Sequence, residues 1–310
     1  MSWSLYHDCI ICYHLHVMKR ETGRVLSFVI VAAVYLLVAL CLYYVYNALE
    51  GKPLFRLFAA DVAATVLVFI FSCVFGNASV YDPYWSVLPI MILAPLTLAS
   101  PSPTKTILFL AVAFWGIRLT SNWAYTFHGL GHQDWRYSQL KTKTGKLYPF
   151  VNFAGIHMFP TIVVYLCLIP AITVMLEVPQ YRPFCLLGIL ISFCAVLLQL
   201  VSDFQMQKYR KEKASPFMEE GLWKYSMHPN YLGEILMWWG VAIYAVMLLG
   251  FRWYLIIGAV VNNLMFLFIS IPMADRRQAE KPGYDEYRSG KNHLIPINSR
   301  SRHQKSPNRC

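Results

Sequence analysis

Eight long apolar runs separated by short polar connections decide what this 310-residue chain can fold into. They lie near 25–46, 57–76, 84–100, 104–121, 155–176, 183–201, 230–249 and 253–272. A helix needs about 20 apolar residues to cross the hydrocarbon of a bilayer. Lipid offers no partner to a free backbone N–H or C=O, so such runs fold as helices whose hydrogen bonds are internal. The expected class is all-α, a polytopic membrane helix bundle of about eight spans. The count falls to seven if the third run, which is short and carries Pro89 and Pro95, is re-entrant. The first run is too long for a signal peptide and lacks a small-residue cleavage site, so it reads as a retained anchor. A composition that is 57% hydrophobic and only 14% charged excludes an ordinary soluble domain.

The charges orient the bundle. Of the 27 Lys and Arg residues, 21 fall on the side of the two termini if there are eight spans. Five (Lys52, Arg56, Lys105, Arg182 and Arg252) fall opposite, and Arg118 lies within a span. The positive-inside rule then puts both termini in the cytoplasm. The formal charge of +11 belongs to cytoplasmic loops on this reading, with no nucleic-acid partner. The expected organisation is an N-terminal cytoplasmic segment at 1–24, a membrane domain at 25–297 and a basic, disordered tail at 298–310.

Several signals carry little. Cys41, Cys73, Cys167 and Cys194 lie in apolar runs, where Cys acts as a small hydrophobe. The opening "CIICYHLH" offers Cys9, Cys12, His14 and His16, but no second ligand cluster follows, and no metal site is expected. His128 and His132 sit in "HGLGH", whose glycines favour a loop. No dinucleotide glycine fingerprint and no P-loop is present.

Polar residues at membrane depth say more. Asp61, Arg118 and Glu234 lie inside spans, and Asp82 and Asp203 at span ends. A charge at the centre of a spanning helix costs roughly 2.5–3.5 kcal/mol on insertion scales, so each must face the bundle interior or a wet cavity. Mutual ion pairing for helix assembly is the plain reading, for Asp61 above all. Glu234 has company. In "SMHPNYLGEILMWWG", Pro229 suits the first turn of a helix, and Asn230, Tyr231, Glu234 and Trp238 then share one broad face. That face suits a polar ring system or a ribose; the alternative is a polar knot between helices. In "LQLVSDFQMQKYRKEK", Gln199, Asp203 and Arg210 share a face of a helix leaving the membrane, where a carboxylate and a guanidinium suit ribose and phosphate.

The segments "LQLVSDFQMQKYR", "GLWKYSMHPNYLGEILMWWG" and "YDEYRSGKNHLIPI" resemble the C-terminal region of the steroid 5-alpha-reductase family. "DPYWSVLPI" and "WGIRLTSNWAYTF" with "DWRY" resemble a branch of uncharacterised membrane proteins within it. The likeness covers roughly residues 60–297. It implies a multi-spanning reductase that uses NADPH to saturate a carbon–carbon double bond conjugated to a carbonyl. The substrate would be a hydrophobic, lipid-like or steroid-like molecule, and the compartment the endoplasmic reticulum. The cofactor would lie between the C-terminal helices and meet Arg118, Gln199, Asp203, Arg210, Tyr225, His228 and Asn230. A tail segment carrying Arg277 and Tyr287 would close over it, and Glu234 and Tyr231 would stand at the reacting end. Tyr84, Tyr231 or Tyr125 could donate to the substrate carbonyl, stabilising the charge that develops there. The sequence departs from the family in having Gln199 where an Asn is usual and Trp115 where a substrate-facing Tyr aligns, and it offers no match for the family's substrate-binding Glu. Two rivals stand beside this reading. One is an S-adenosylmethionine-dependent methyltransferase of the isoprenylcysteine type, which has a similar "HPxYxG" turn. The other is a lipid-binding membrane protein without catalysis. Nothing in the sequence specifies an oligomeric state.

Overall fold

A computed structural model describes residues 23–177, 179–212, 215–289 and 291–295. The opening Cys/His cluster and the basic tail at 298–310 lie outside the described residues, as does nearly all of the 1–24 segment. Among the described residues the chain is helical, and its only β feature is a parallel bridge between Ser226 and Asn292. Eight helical segments of the described residues are long and apolar enough to cross a membrane.

The first four are α1 (Arg24–Ala48), α2 (Pro53–Val74), α3 (Tyr84–Ala99) and α4 (Pro103–Thr126). A shorter α5 (Trp135–Thr144) starts at Asp134, whose carboxylate accepts from the Arg136 N–H at 2.8 Å. This N-cap satisfies one of the donors that a helix leaves open. A π-helical segment, Asn152–Met158, then leads into α6 (Phe159–Leu176). After it come α7 (Leu186–Glu212), α8 (Pro229–Leu249) and α9 (Tyr254–Met265). A second π-helical segment, Phe266–Ser270, joins α9 to α10 (Ile271–Ala279), and α11 (Tyr284–Ser289) follows. The third run is one continuous helix: α3 continues through Pro89 and Pro95. As expected, Pro229 opens α8, and Gly250 (φ +81°) ends it in a left-handed conformation that suits glycine. His128 and His132 lie in the loop between α4 and α5.

The chain divides into two compact units, one of Met1–Ala99 with Leu119–Tyr165 and one of Ser100–Arg118 with Leu166–Cys310. In the first unit α2 presents Asp61, Thr65 and Ser72 as a buried polar stripe. Asp61 has no cation among its partners in the described residues. Instead Tyr84 donates its hydroxyl to Asp61 Oδ1 at 2.8 Å. The Thr161 hydroxyl meets both Thr65 (3.0 Å) and Tyr81 (2.8 Å).

In the second unit α7 and α8 run antiparallel at close range. A Cβ on Gly240 would lie 2.2 Å from Ser192 Oγ, and one on Gly233 would lie 2.4 Å from Gln199 Cγ. Only glycine lets the two backbones approach this far, the packing used by helices that gain nothing from water exclusion inside lipid. Gly233 therefore does more than thin the interface. It admits the Gln199 side chain beside the next residue of α8, Glu234.

Candidate functional site

Three helices of the second unit build the site. The part of α4 that ends at Arg118 supplies Trp115 and Arg118, one turn apart. Gln199 and Asp203 come from α7, also one turn apart, and α8 supplies Glu234 and Trp238 at the same spacing. Helical spacing of three or four residues puts each pair on one face. The loop before α8 and the segment after α10 complete the edge of the unit.

Glu234 is buried, at 6% exposure, and protein groups satisfy it. The Trp115 indole N–H donates to both oxygens, at 3.1 Å to Oε1 and 2.9 Å to Oε2. Trp238 donates to Oε1 at 3.2 Å, and the Gln199 amide to Oε2 at 2.7 Å. The two indoles meet edge to face with centroids 4.9 Å apart, a favoured aromatic geometry. The amide of Gln199 is oriented by its other end, where its oxygen accepts from Arg118 Nη1 at 3.1 Å. Arg118 Nη2 in turn pairs with Asp203. A single line of hydrogen bonds thus runs from Asp203 through Arg118 and Gln199 to Glu234. Arg118 and Glu234 are not an ion pair; one amide separates them. The charge at membrane depth is tolerated because acceptor faces donor at every link, as a buried network requires.

Arg118, Gln199, Asp203 and Glu234, four of the sequence-derived site residues, come together here. Two polar atoms beside them stay unmatched: Arg118 Nε and Asn230 Oδ1 are buried without a hydrogen-bond partner among the described residues. Buried polar atoms are nearly always partnered, so such orphans mark a place where a polar ligand would be welcome. Arg210, two turns beyond Asp203 on α7, is exposed.

The remaining residues gather at the edge of the unit, around the start of α8. His228 places Nε2 2.8 Å from Asp275 Oδ1, and the other carboxylate oxygen lies 3.6 Å from His293 Nδ1. Tyr231 stacks on the His228 ring at 5.1 Å and packs on Phe266 at 5.0 Å. The segment after α11 crosses the loop that precedes α8. Met227 and His228 donate their N–H groups to the carbonyls of Asn292 (2.9 Å) and His293 (3.1 Å), and Asn292 donates to the Tyr225 carbonyl at 3.3 Å. Tyr225 and Arg277 have exposed side chains. Tyr287 stacks on Phe217 at 4.5 Å, with Lys291 Nζ 3.6 Å from its ring centroid. Lys291 also donates to the Met218 carbonyl at 2.9 Å. Burial pushes this ammonium down to about 8, with Glu219 opposing the shift.

Sequence reasoning missed Asp275 and His293 as partners of His228. It noted Trp115 only as a departure from a family pattern. The available signal was its position three residues before Arg118, on the same helix face.

Residues 68–292 match the family described as "Protein of unknown function (DUF1295)". The match spans well over half of the chain, and the protein belongs to that family. The description names no reaction. Comparison with curated proteins and with solved structures returns no match.

Proposed function

Taking membership of this family as the premise, we propose that the protein is an NADPH-dependent membrane reductase. It saturates a carbon–carbon double bond conjugated to a carbonyl in a hydrophobic, lipid-like or steroid-like substrate. The observation that carries this reading is the convergence of Arg118, Gln199 and Asp203. These residues, which the resemblance assigns to the cofactor, lie on one buried line with two orphaned polar atoms beside it, Arg118 Nε and Asn230 Oδ1.

These residues fit a nucleotide. The orphaned N–H and carbonyl oxygen offer one donor and one acceptor to ribose or amide groups. Arg210 offers a forked cation to phosphate. The segment that crosses the loop before α8 positions Tyr225 and His228 through backbone bonds and closes that edge. When bound, the nicotinamide supplies the hydride; the protein supplies orientation and electrostatics. Glu234 acts as a positioning residue, because Trp115, Trp238 and Gln199 take up its acceptors. It fixes the amide of Gln199, and through that amide the guanidinium of Arg118. Among the tyrosines, Tyr84 gives its O–H to Asp61. Tyr231, on α8 three residues before Glu234, is our choice for the donor to the substrate carbonyl. Under the same reading both termini are cytoplasmic and the compartment is the endoplasmic reticulum.

The test is titration of the detergent-solubilised full chain with NADPH, NADH and S-adenosylmethionine. NADPH is expected to bind most tightly. Arg210→Ala should weaken it by about 1.5–3 kcal/mol, the range for hydrogen bonds to a charged group. Binding of S-adenosylmethionine without NADPH would replace the reductase by the methyltransferase. Binding of neither would leave a lipid-binding protein.

A further inference from the structure

Within the first unit, where α1, α2 and α3 meet, there is a cavity of about 510 Å³. Small side chains make the room: Ala39 on α1, Ala60 on α2, and Pro95 and Ala99 on α3 line it. An apolar void leaves its lining without partner atoms and forfeits their dispersion contacts. A wall so poor in polar groups does not hold water either. In a bilayer, the material at hand to fill such a space is a hydrocarbon chain.

One end of the cavity has a different character. Tyr43 and Tyr46 line it from the last turns of α1, and Ala99 is the final residue of α3. These positions belong to the membrane–water boundary, where tyrosine is enriched. Arg56 stands there, its guanidinium 4.1 Å from the centroid of the Tyr46 ring. Its Nε and Nη2 donate to the Tyr46 carbonyl at 3.0 and 2.7 Å. Its Nη1 makes no hydrogen bond among the described residues. Glu50 and Lys52 are exposed in the connection between α1 and α2, and among the described residues no carboxylate forms an ion pair with Arg56. The site therefore combines a chain-sized apolar slot with a fixed guanidinium at its boundary end.

We propose that this cavity holds one acyl chain of a phospholipid, with the lipid phosphate at Arg56. The ligand is an amphiphile recognised at both ends. Guanidinium recognises phosphate through forked, charge-assisted donors, and the slot selects for a chain attached to it. This site is separate from the proposed nucleotide contacts and stands or falls without them.

The experiment uses the full chain, purified in detergent and stripped of lipid. It is then offered phosphatidylglycerol, diacylglycerol with the same acyl chains, or glycerol phosphate. Native mass spectrometry reads retention, and the melting temperature reads stabilisation. The expected result is one phosphatidylglycerol retained per chain, with diacylglycerol retained about tenfold less, the size of one charge-assisted hydrogen bond. Arg56→Gln should erase that difference. Ala39→Phe should fill the slot and expel the phospholipid. Ala99→Phe, at an exposed lining position, provides the same test should the first variant fail to fold. Equal retention of diacylglycerol by the unaltered chain would overturn the role of Arg56. Unchanged retention by a cooperatively melting Ala39→Phe or Ala99→Phe chain would overturn the slot. Stabilisation by glycerol phosphate equal to that by the lipid would reduce the site to one for a free anion.

Discussion

The line from Asp203 to Glu234 makes a prediction that exchanges two side chains. Glu234→Gln keeps the shape but replaces one acceptor oxygen by an NH₂ group. The donors around position 234 are the indoles of Trp115 and Trp238 and the amide of Gln199, at 2.7–3.2 Å. With the new NH₂ turned toward an indole, two donors face each other. With it turned toward position 199, the Gln199 amide must flip, and its own NH₂ then confronts Arg118 Nη1. Either way a buried donor is stranded, which costs about 1–3 kcal/mol, and more where a charge is involved. A loss of that size lowers a melting temperature by roughly 2–4 °C per kcal/mol in a domain of 150–250 residues. Gln199→Glu made in the same chain repairs the line. The carboxylate at position 199 accepts from Arg118 and from the new amide, whose oxygen still receives both indoles. The assay is thermal unfolding in detergent for both single variants and the double. The double should return to within about 1 kcal/mol of the parent chain, the signature of two residues that couple directly. If Glu234→Gln leaves unfolding untouched while nucleotide binding collapses, Glu234 faces a ligand and the network account is wrong. If the exchange fails to restore stability, Gln199 is not the link.

Two further outcomes follow from single residues. Asn77 heads the sequon Asn77-Ala78-Ser79, yet its amide is buried and donates to the carbonyls of Leu130 at 2.8 Å and His132 at 3.1 Å. The chain should show no glycosidase-sensitive mass shift, and a shift removed by Asn77→Gln would overturn both the burial of Asn77 and the proposed cytoplasmic placement of the loop between α2 and α3. Lys291 titrates lower folded, at about 8, than its ordinary 10.5. The unfolded form therefore binds more protons between those values, and the hold of this segment on the loop should strengthen as pH rises from about 8 toward 10.5 and be weaker below. Hydrogen exchange of residues 284–295 between pH 7.5 and 10 measures this; Lys291→Met should flatten the slope.

What the sequence made legible depends on how local each feature is. The spans were readable because about 20 apolar residues in a row have few other fates. The end of α7 lies past the apolar run, which stops near 201, and was legible only from the shared face of Gln199, Asp203 and Arg210; the helix runs to Glu212. Beyond the apolar run, Gln, Met, Lys, Arg and Glu are good helix formers and carry it on. The two π-helical segments left no pattern at all. At the site, Trp238 could be read as a neighbour of Glu234 because both lie one turn apart on α8. Gln199 and Trp115 are 35 and 119 residues away, and only the packing of α8 against α7 and α4 brings them in. Gly233 was the local hint, since a glycine inside a spanning helix signals a close neighbour, but it does not say which one.

Asp61 and Glu234 pose the same problem, a carboxyl group in the middle of an apolar helix, and the fold answers each differently. Donors meet both oxygens of Glu234. Asp61 is fully buried too, but it receives the Tyr84 hydroxyl on Oδ1 only, and Oδ2 has no partner among the described residues. The same chemical change should therefore have unequal effects. Asp61→Asn keeps an oxygen for Tyr84 and puts an NH₂ where no donor waits, so no donor–donor conflict arises. The expected cost is below about 1 kcal/mol, the net value of an ordinary hydrogen bond. Asp61→Leu removes the nearer of two acceptors from Tyr84, whose hydroxyl keeps the backbone carbonyl of residue 61 at 3.1 Å, and should cost about 0.5–1.5 kcal/mol, the net value of one hydrogen bond. Melting temperatures of these chains, read beside Glu234→Gln, rank the two sites. Should Asp61→Asn prove as damaging as Glu234→Gln, Asp61 must carry a negative charge that a cation neutralises, and ion pairing would return as the reason for a carboxyl group in α2.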